Sequence, residues 1–254
     1  MLAKFYQKKI SENPRFILSI LFICLLTSLY FSKDFRLDAS SETLLLEGDP
    51  DLQYLNEINE RYNSKEFLVL TYSPKESMIS NSSINNLLSL KYKIQSLEWV
   101  HNVITVLDVP LLNSTDETLN EKLKNFSTLK SDGIDRENGF SEILNSPVFK
   151  NFVISEDGKT SGIIVYIKEE KKLSDKINTK KLQNYKDSKN KKNRENIKEI
   201  REIIKEYSKT SKIYLGGIPM IADDMMSFIK SDILIFGVGV LLFIVVTLWL
   251  IFKK

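Results

Sequence analysis

Two long apolar runs bracket a polar middle. Ile233 to Phe252 contains no charged residue, and about 20 residues at 1.5 Å each match the roughly 30 Å hydrocarbon core of a bilayer. Asp232 closes this run on one side and Lys253 and Lys254 on the other, because charge is costly to bury in lipid. Phe16 to Phe31 is likewise uncharged; it is short for a span, but snorkelling flanks bring it within range. The pattern predicts a leader over 1–15, a transmembrane helix over 16–31, an exported domain over 32–231, a second transmembrane helix over 232–252 and a cytoplasmic end at 253–254.

The middle alternates between the two periodicities of regular structure. Asp49 as N-cap and Pro50 at the first helical position, followed by Leu52, Leu55, Ile58 and Tyr62, predict a helix to about Arg61. Leu44 to Leu46 form a short apolar cluster before it. Phe67 to Tyr72 (FLVLTY) reads as a buried strand closed by Pro74. Leu87, Leu90, Ile94 and Leu97 then mark a helix from Ser82 or Ser83 to about Glu98. Val103 to Val109 is the second strand, and the intervening helix makes a right-handed parallel crossover the default.

Leu111 to Lys150 reads as an insertion, with short helices near Thr115 to Leu129 and Phe140 to Asn145. Asp157-Gly158 between two apolar arms is a hairpin signal, and its second arm, GIIVYI, is a third strand. After the lysine-rich stretch Glu169 to Arg194, a helix carries Ile197, Ile200, Ile203, Ile204 and Tyr207 on one stripe. Lys212 to Leu215 is the fourth strand. The predicted class is α+β, with the strand–helix–strand, insertion, strand–helix–strand order of a ferredoxin-like sandwich between two membrane helices.

Gly216, Gly217 and Pro219 lie where this last strand hands over to a helix. Glycine permits backbone angles that a side chain opposes, and proline suits a first helical turn. Ile218, Ile221, Met225, Phe228 and Ile229 share one face, which is expected to hold the helix against the domain or the outer ends of neighbouring spans, with Asp223, Asp224 and Lys230 turned to water. Without a strong breaker beyond Pro219, one nearly continuous helix to Phe252 is expected, interrupted at Asp232 in hydrophobicity alone.

Charge and composition narrow the chemistry. A net charge of +3 over 254 residues gives no reason to expect nucleic acid. The only cysteine, Cys24, falls in the first apolar run, so the middle has no disulfide. His101 is the only histidine, and neither a histidine pair for zinc nor a serine triad can be assembled. Asp223, Asp224 and Asp232 have the spacing of a sparse oxygen cluster, but a hard cation wants more ligands. No catalytic, cofactor or metal site is therefore expected. Lysines from Lys168 to Arg201 could attract anionic headgroups, although interspersed Glu and Asp dilute the field. The first run could be a signal peptide; a small-x-small cleavage pattern is missing after Phe31, and an uncleaved anchor is expected. Lys4, Lys8, Lys9 and Arg15 before the first run, and the lysines after the second, place both termini in the cytoplasm.

The basic leader, LDASSETLLLEGDPDLQYLNEINERYNSKEFLVL, FVISEDGKTSGIIVYI and GGIPMIADDMMSFIKSDILIF, in that order, resemble the first part of a resistance-nodulation-division (RND) transporter, nearest to the MMPL-type bacterial exporters. The resemblance implies a porter domain of ferredoxin-like build in a proton-driven inner-membrane exporter of lipids or other hydrophobic substrates. It implies partners in the remaining transporter helices and a second porter half, with a homo-oligomer as an open assembly. Gly217 and Pro219 would form the porter-to-membrane junction, with Asp232 at the outer mouth of the second span. Family members carry acidic proton-relay residues in middle spans, and neither apolar run here has one. The expectation is a partial chain, unable to transport alone. The rival readings are an extracytoplasmic sensor between two spans and an anchored enzyme.

Overall fold

The computed structural model describes residues 14–32, 50–62, 65–112, 126–168 and 179–253. It divides into two units, Met1–Asp38 and Ala39–Lys254. In the first, helix α1 (Pro14–Phe31) is apolar along its length and exposed. Two of its hydroxyls turn back onto its own backbone: Ser19 donates to the Arg15 carbonyl at 2.9 Å and Thr27 to that of Cys24 at 2.8 Å. Such back-bonding satisfies hydroxyls where water is scarce.

The first described element of the second unit is helix α2 (Pro50–Tyr62). Leu55 and Tyr62 on its apolar stripe are exposed. The N-cap expected at Asp49 and the cluster Leu44 to Leu46 lie outside the described residues.

Four strands form the sheet: β1 (Phe67–Pro74), β2 (Val100–Ile104), β3 (Ser161–Ile167) and β4 (Ser211–Gly216). Their spatial order is β2-β3-β1-β4, and every neighbouring pair is antiparallel. Leu70 stands opposite Ile163 on one side and Leu215 on the other, and Val103 opposite Val165. Strands β1 and β2 are thus parallel, as the crossover reading requires, but β3 is inserted between them. Likewise β1 separates β3 from β4, so two split strand–helix–strand units interleave.

Period-two burial follows from the pleat. Leu68, Leu70, Tyr72, Val103, Ile163 and Val165 point into one core, met by Leu87, Leu90 and Ile94 of helix α3 (Asn81–Gln95) and by Ile197 and Ile200 of the long helix before β4. The Tyr72 phenol enters this core to donate to the Ser83 carbonyl at 3.0 Å, and burial pushes its pKa up to about 12. Helix α3 begins at Asn81, one or two residues earlier than expected, because Ser80 is its N-cap, accepting the Ser83 N–H at 3.1 Å.

Three expectations are corrected. The second strand ends at Ile104, not Val109, and Val106–Asp108 forms a 3-10 turn instead. The Thr105 hydroxyl accepts the Leu107 N–H while the Asp108 carboxylate accepts the Thr105 N–H at 2.9 Å, a capping box that draws the backbone out of the ladder. Helix α4 (Arg136–Asn145) starts a turn ahead of Phe140, since Asp135 caps the N–H groups of Glu137 and Asn138. Helix α5 (Thr179–Tyr207) reaches back through much of the lysine-rich stretch read as preceding it. Lysine and glutamine are good helix formers, and i,i+4 pairs such as Lys191–Glu195 and Lys198–Glu202 add slight support.

Most of the helix expected near Thr115 to Leu129 lies outside the described residues. At Asp157-Gly158 the chain does reverse, Ser155 and Thr160 closing the turn at 2.9 Å, but the first arm contributes only the single bridge Ile154–Ser161. The insertion is tied to the core by charge. Asp108 accepts from Lys91 at 2.6 Å and from Lys130 at 2.9 Å. Burial raises the Asp108 pKa, but those two hydrogen bonds, the Thr105 N–H and the Lys91 charge outweigh it and hold the carboxyl below its usual range.

Candidate functional site: the strand-to-helix junction

Strand β4 ends at Gly216, and helix α6 (Ile218–Phe252) begins two residues later. The reversal between them falls on Gly217 alone. Its φ of 116° and ψ of 154° lie where L residues rarely go, and an added Cβ would sit 3.1 Å from the Phe67 carbonyl oxygen and 3.2 Å from Leu68 Cα. The Gly217 carbonyl accepts the N–H groups of Met220 (3.1 Å) and Ile221 (3.0 Å), supplying the first bonds of the helix. Gly216 has no positive φ, and a Cβ there would make only an ordinary 3.7 Å contact with the Val69 oxygen. The conformational freedom expected of both glycines is needed at one.

Pro219 occupies the first turn of α6 and is buried. Its carbonyl also accepts from the Asn193 amide of α5 at 2.7 Å.

Of the two partners expected for the bulky face, the domain is not the one it meets: α6 turns to the domain a face rotated by roughly a quarter turn, with Ile229 half-buried at its edge. Pro219, Ala222 and Met226 are buried, while Ile218 (56% exposed), Ile221 (48%) and Phe228 (66%) face outward. Nor do Asp223 and Asp224 turn to water. Arg194 Nε reaches Asp223 Oδ1 at 3.2 Å, and one Arg201 terminal nitrogen lies 2.7 and 2.9 Å from the two Asp224 oxygens. Asp223 is nearly covered, at 12% side-chain exposure. Helical spacing identified the faces; what it lacked was the partner. With two arginines waiting on α5, the acidic face satisfies its charges by packing and the small residues beside it allow close approach, whereas bulky Ile218, Ile221 and Phe228 would hold the helices apart.

Asn193, Arg194 and Arg201 were not singled out from the sequence. A signal was present: Arg194 and Arg201 stand seven residues apart, two turns on one face, in a stretch otherwise supplied with lysine. Arginine's rigid fork is the better carboxylate partner.

Beyond the docked turns the helix continues without a break through Ser231 and Asp232. Asp232 is exposed in mid-helix, without an ion pair among the described residues. The part from Ile233 to Phe252 is apolar and exposed, and Ile218–Phe252 is long and apolar enough, by length and composition, to cross a membrane. Thr247 donates to the Phe243 carbonyl at 2.8 Å, so its hydroxyl is satisfied within the helix. Around Gly237 and Gly239 nothing would meet an added Cβ.

The remaining chemistry is dispersed. His101 is exposed, with its Nε2 2.7 Å from Lys65 Nζ. That contact requires Nε2 to be the acceptor, which puts a neutral ring's proton on Nδ1. Asp223 and Asp224 are engaged with arginines and do not converge with Asp232; among the described residues there is no cluster of three or more metal-ligating side chains. A cleft of about 610 Å³ lies beside α4, lined by Pro110, Asp135, Glu142 and Phe149 among others, away from the junction.

The model of the MMPL family matches residues 98–254, more than half of the chain, running from the start of β2 through α6. No curated protein matches the chain.

Proposed function

The chain belongs to the MMPL family of RND-type transporters, and from that premise we propose that it provides the first porter segment and its membrane helices to a proton-driven exporter of lipids or other hydrophobic molecules. The exported domain would occupy 32–231 on the outer side of a bacterial inner membrane. Helices over 16–31 and 232–252 would flank it as spans, both termini facing the cytoplasm. The interleaved split units of the sheet support a ferredoxin-like porter fold. Partners would be further transporter helices, a second porter half and further copies of the chain.

One observation carries this reading. A family match that runs unbroken from sheet to apolar helix coincides with a single 35-residue helix rooted on the sheet at Gly217. Gly216, Gly217, Pro219 and Asp232 then belong to a porter-to-membrane junction, in which Gly217 makes the turn, Pro219 seats the first helical turn and Asp232 marks the outer mouth of the span. The sensor alternative finds no support in the comparisons, and the family is one of transporters rather than enzymes.

Two measurements test the proposal. Cysteine placed at exposed Asp157 should react with an impermeant thiol reagent in intact cells; protection there would overturn the topology. Energised cells lacking the gene should lose the hydrophobic dye Nile red more slowly than cells carrying it. Equal loss would overturn the exporter reading.

A further inference from the structure

The pairs Arg194–Asp223 and Arg201–Asp224, together with the Asn193 bond to the Pro219 carbonyl, all join one short stretch of α5 to the first two turns of α6. Helix α5 is itself fastened to the sheet domain: Ile197 and Ile200, between the two arginines, are buried in the core. From Phe228 onward α6 makes no polar contact with the domain among the described residues. Among the described residues, the polar contacts that hold it therefore fall in its first turns and come from a helix that cannot shift without disturbing the core.

We infer that Arg194 and Arg201, with Asp223 and Asp224, are positioning residues that form a coupling latch, making the root of α6 move as one body with the sheet domain. The geometry favours a latch over incidental surface pairing on three counts. The arginines are spaced by two helical turns and the acids are adjacent, so both pairs close in one docked position of the helix. Asp223 is nearly covered. The amide of Asn193 fixes the neighbouring turn through its backbone, where no change of side chain on α6 can release it. Neither ion pair is deeply buried, and each adds little to stability alone; their joint effect is to select one position of α6 on α5. The latch itself stands on these contacts, whereas its use in coupling porter movement to the membrane rests on the exporter reading above.

Hydrogen exchange on the membrane-embedded chain tests the latch through its more accessible pair. Arg201→Asp and Asp224→Arg should each speed exchange of peptides within 218–230 by about fivefold, the size expected for loss of a half-exposed pair plus a like-charge contact. Peptides from β1 and β3 should be unchanged. The double swap R201D/D224R should return exchange to within about twofold of the native rate. Unchanged exchange in the single variants, no recovery in the swap, or equal acceleration in β1 and β3 would each overturn the latch. In the Nile red measurement, R201D should slow export about fivefold and the swap should restore it. Faster exchange at 218–230 with export unaffected would overturn the coupling role. No export by the native chain assembled with its proposed partner helices and second porter half would overturn the exporter reading and leave the exchange result to decide the latch.

Discussion

A side chain at Gly217 would have to hold φ at 116° while its Cβ sat 3.1 Å from the Phe67 oxygen and 3.2 Å from Leu68 Cα. Both neighbours are backbone of the central strand and cannot rotate away. Gly217→Ala should therefore destabilise the domain by about 2 to 3 kcal/mol, and Gly217→Val by more. At Gly216 the same added carbon meets one atom at ordinary distance, and Gly216→Ala should change stability by less than about 0.5 kcal/mol. Urea denaturation of the two alanine variants separates them, and equal losses would refute this account of the turn. The Gly-Gly pair was visible as punctuation in the sequence. Which glycine the turn required depended on where β1 ran, and β1 lies nearly 150 residues away in the chain.

At the scale of elements, α6 shows what periodicity can and cannot tell. Its spacing separates Ile218, Ile221 and Phe228 from Pro219, Ala222 and Met226, and the bulkier set is the natural choice for a core. The structure buries the other set. Met226→Ala should consequently cost about 2 kcal/mol through lost burial and a residual cavity, whereas Ile221→Ser, at a site 48% exposed, should leave the domain's stability within about 0.5 kcal/mol. Thermal unfolding followed by the two tryptophans would reveal the reverse order if the bulky face were the docked one. The second strand and α5 teach related lessons. Thr105 and Asp108 satisfy the local backbone with side chains and end β2 early, and lysine-rich sequence that looks like a solvated loop is also good helix former when a core-anchored helix lies immediately after it.

For the molecule as a whole, the covered charge at Asp108 joins three segments: α3 through Lys91, the 3-10 turn itself, and the insertion through Lys130. Side-chain exposures of 18% for Asp108 and 11% for Lys91 make this pairing worth more than a surface bridge. Removing the carboxylate would leave the Lys91 ammonium covered and uncompensated, so Asp108→Asn should lose about 3 kcal/mol. The pH dependence has a definite sign. A folded pKa below the unfolded value of about 3.9 means the contribution is complete above that value and is lost as pH falls through the folded pKa. Acid titration should show stability falling below about pH 4 in the native chain and a shallower fall in Asp108→Asn; parallel curves would remove Asp108 from the account.

Local physics was enough to read the order of the elements. Strand-forming runs closed by proline, helical stripes and an uncharged run matched to bilayer thickness are properties of neighbouring residues, and they yielded four strands, the helices between them and the long apolar helix that follows Gly217. Pairing was a different matter. Whether Asp223 meets water or Arg194, and which side of α6 is the inside, depend on segments far apart in sequence. Each is decided by a competition among burial, charge compensation and closeness of approach, and the competitors come together only when the chain has folded. The junction illustrates the division: its turn is written in Gly217 and Pro219, but its grip on the domain belongs to Asn193, Arg194 and Arg201, whose partners the fold alone supplies.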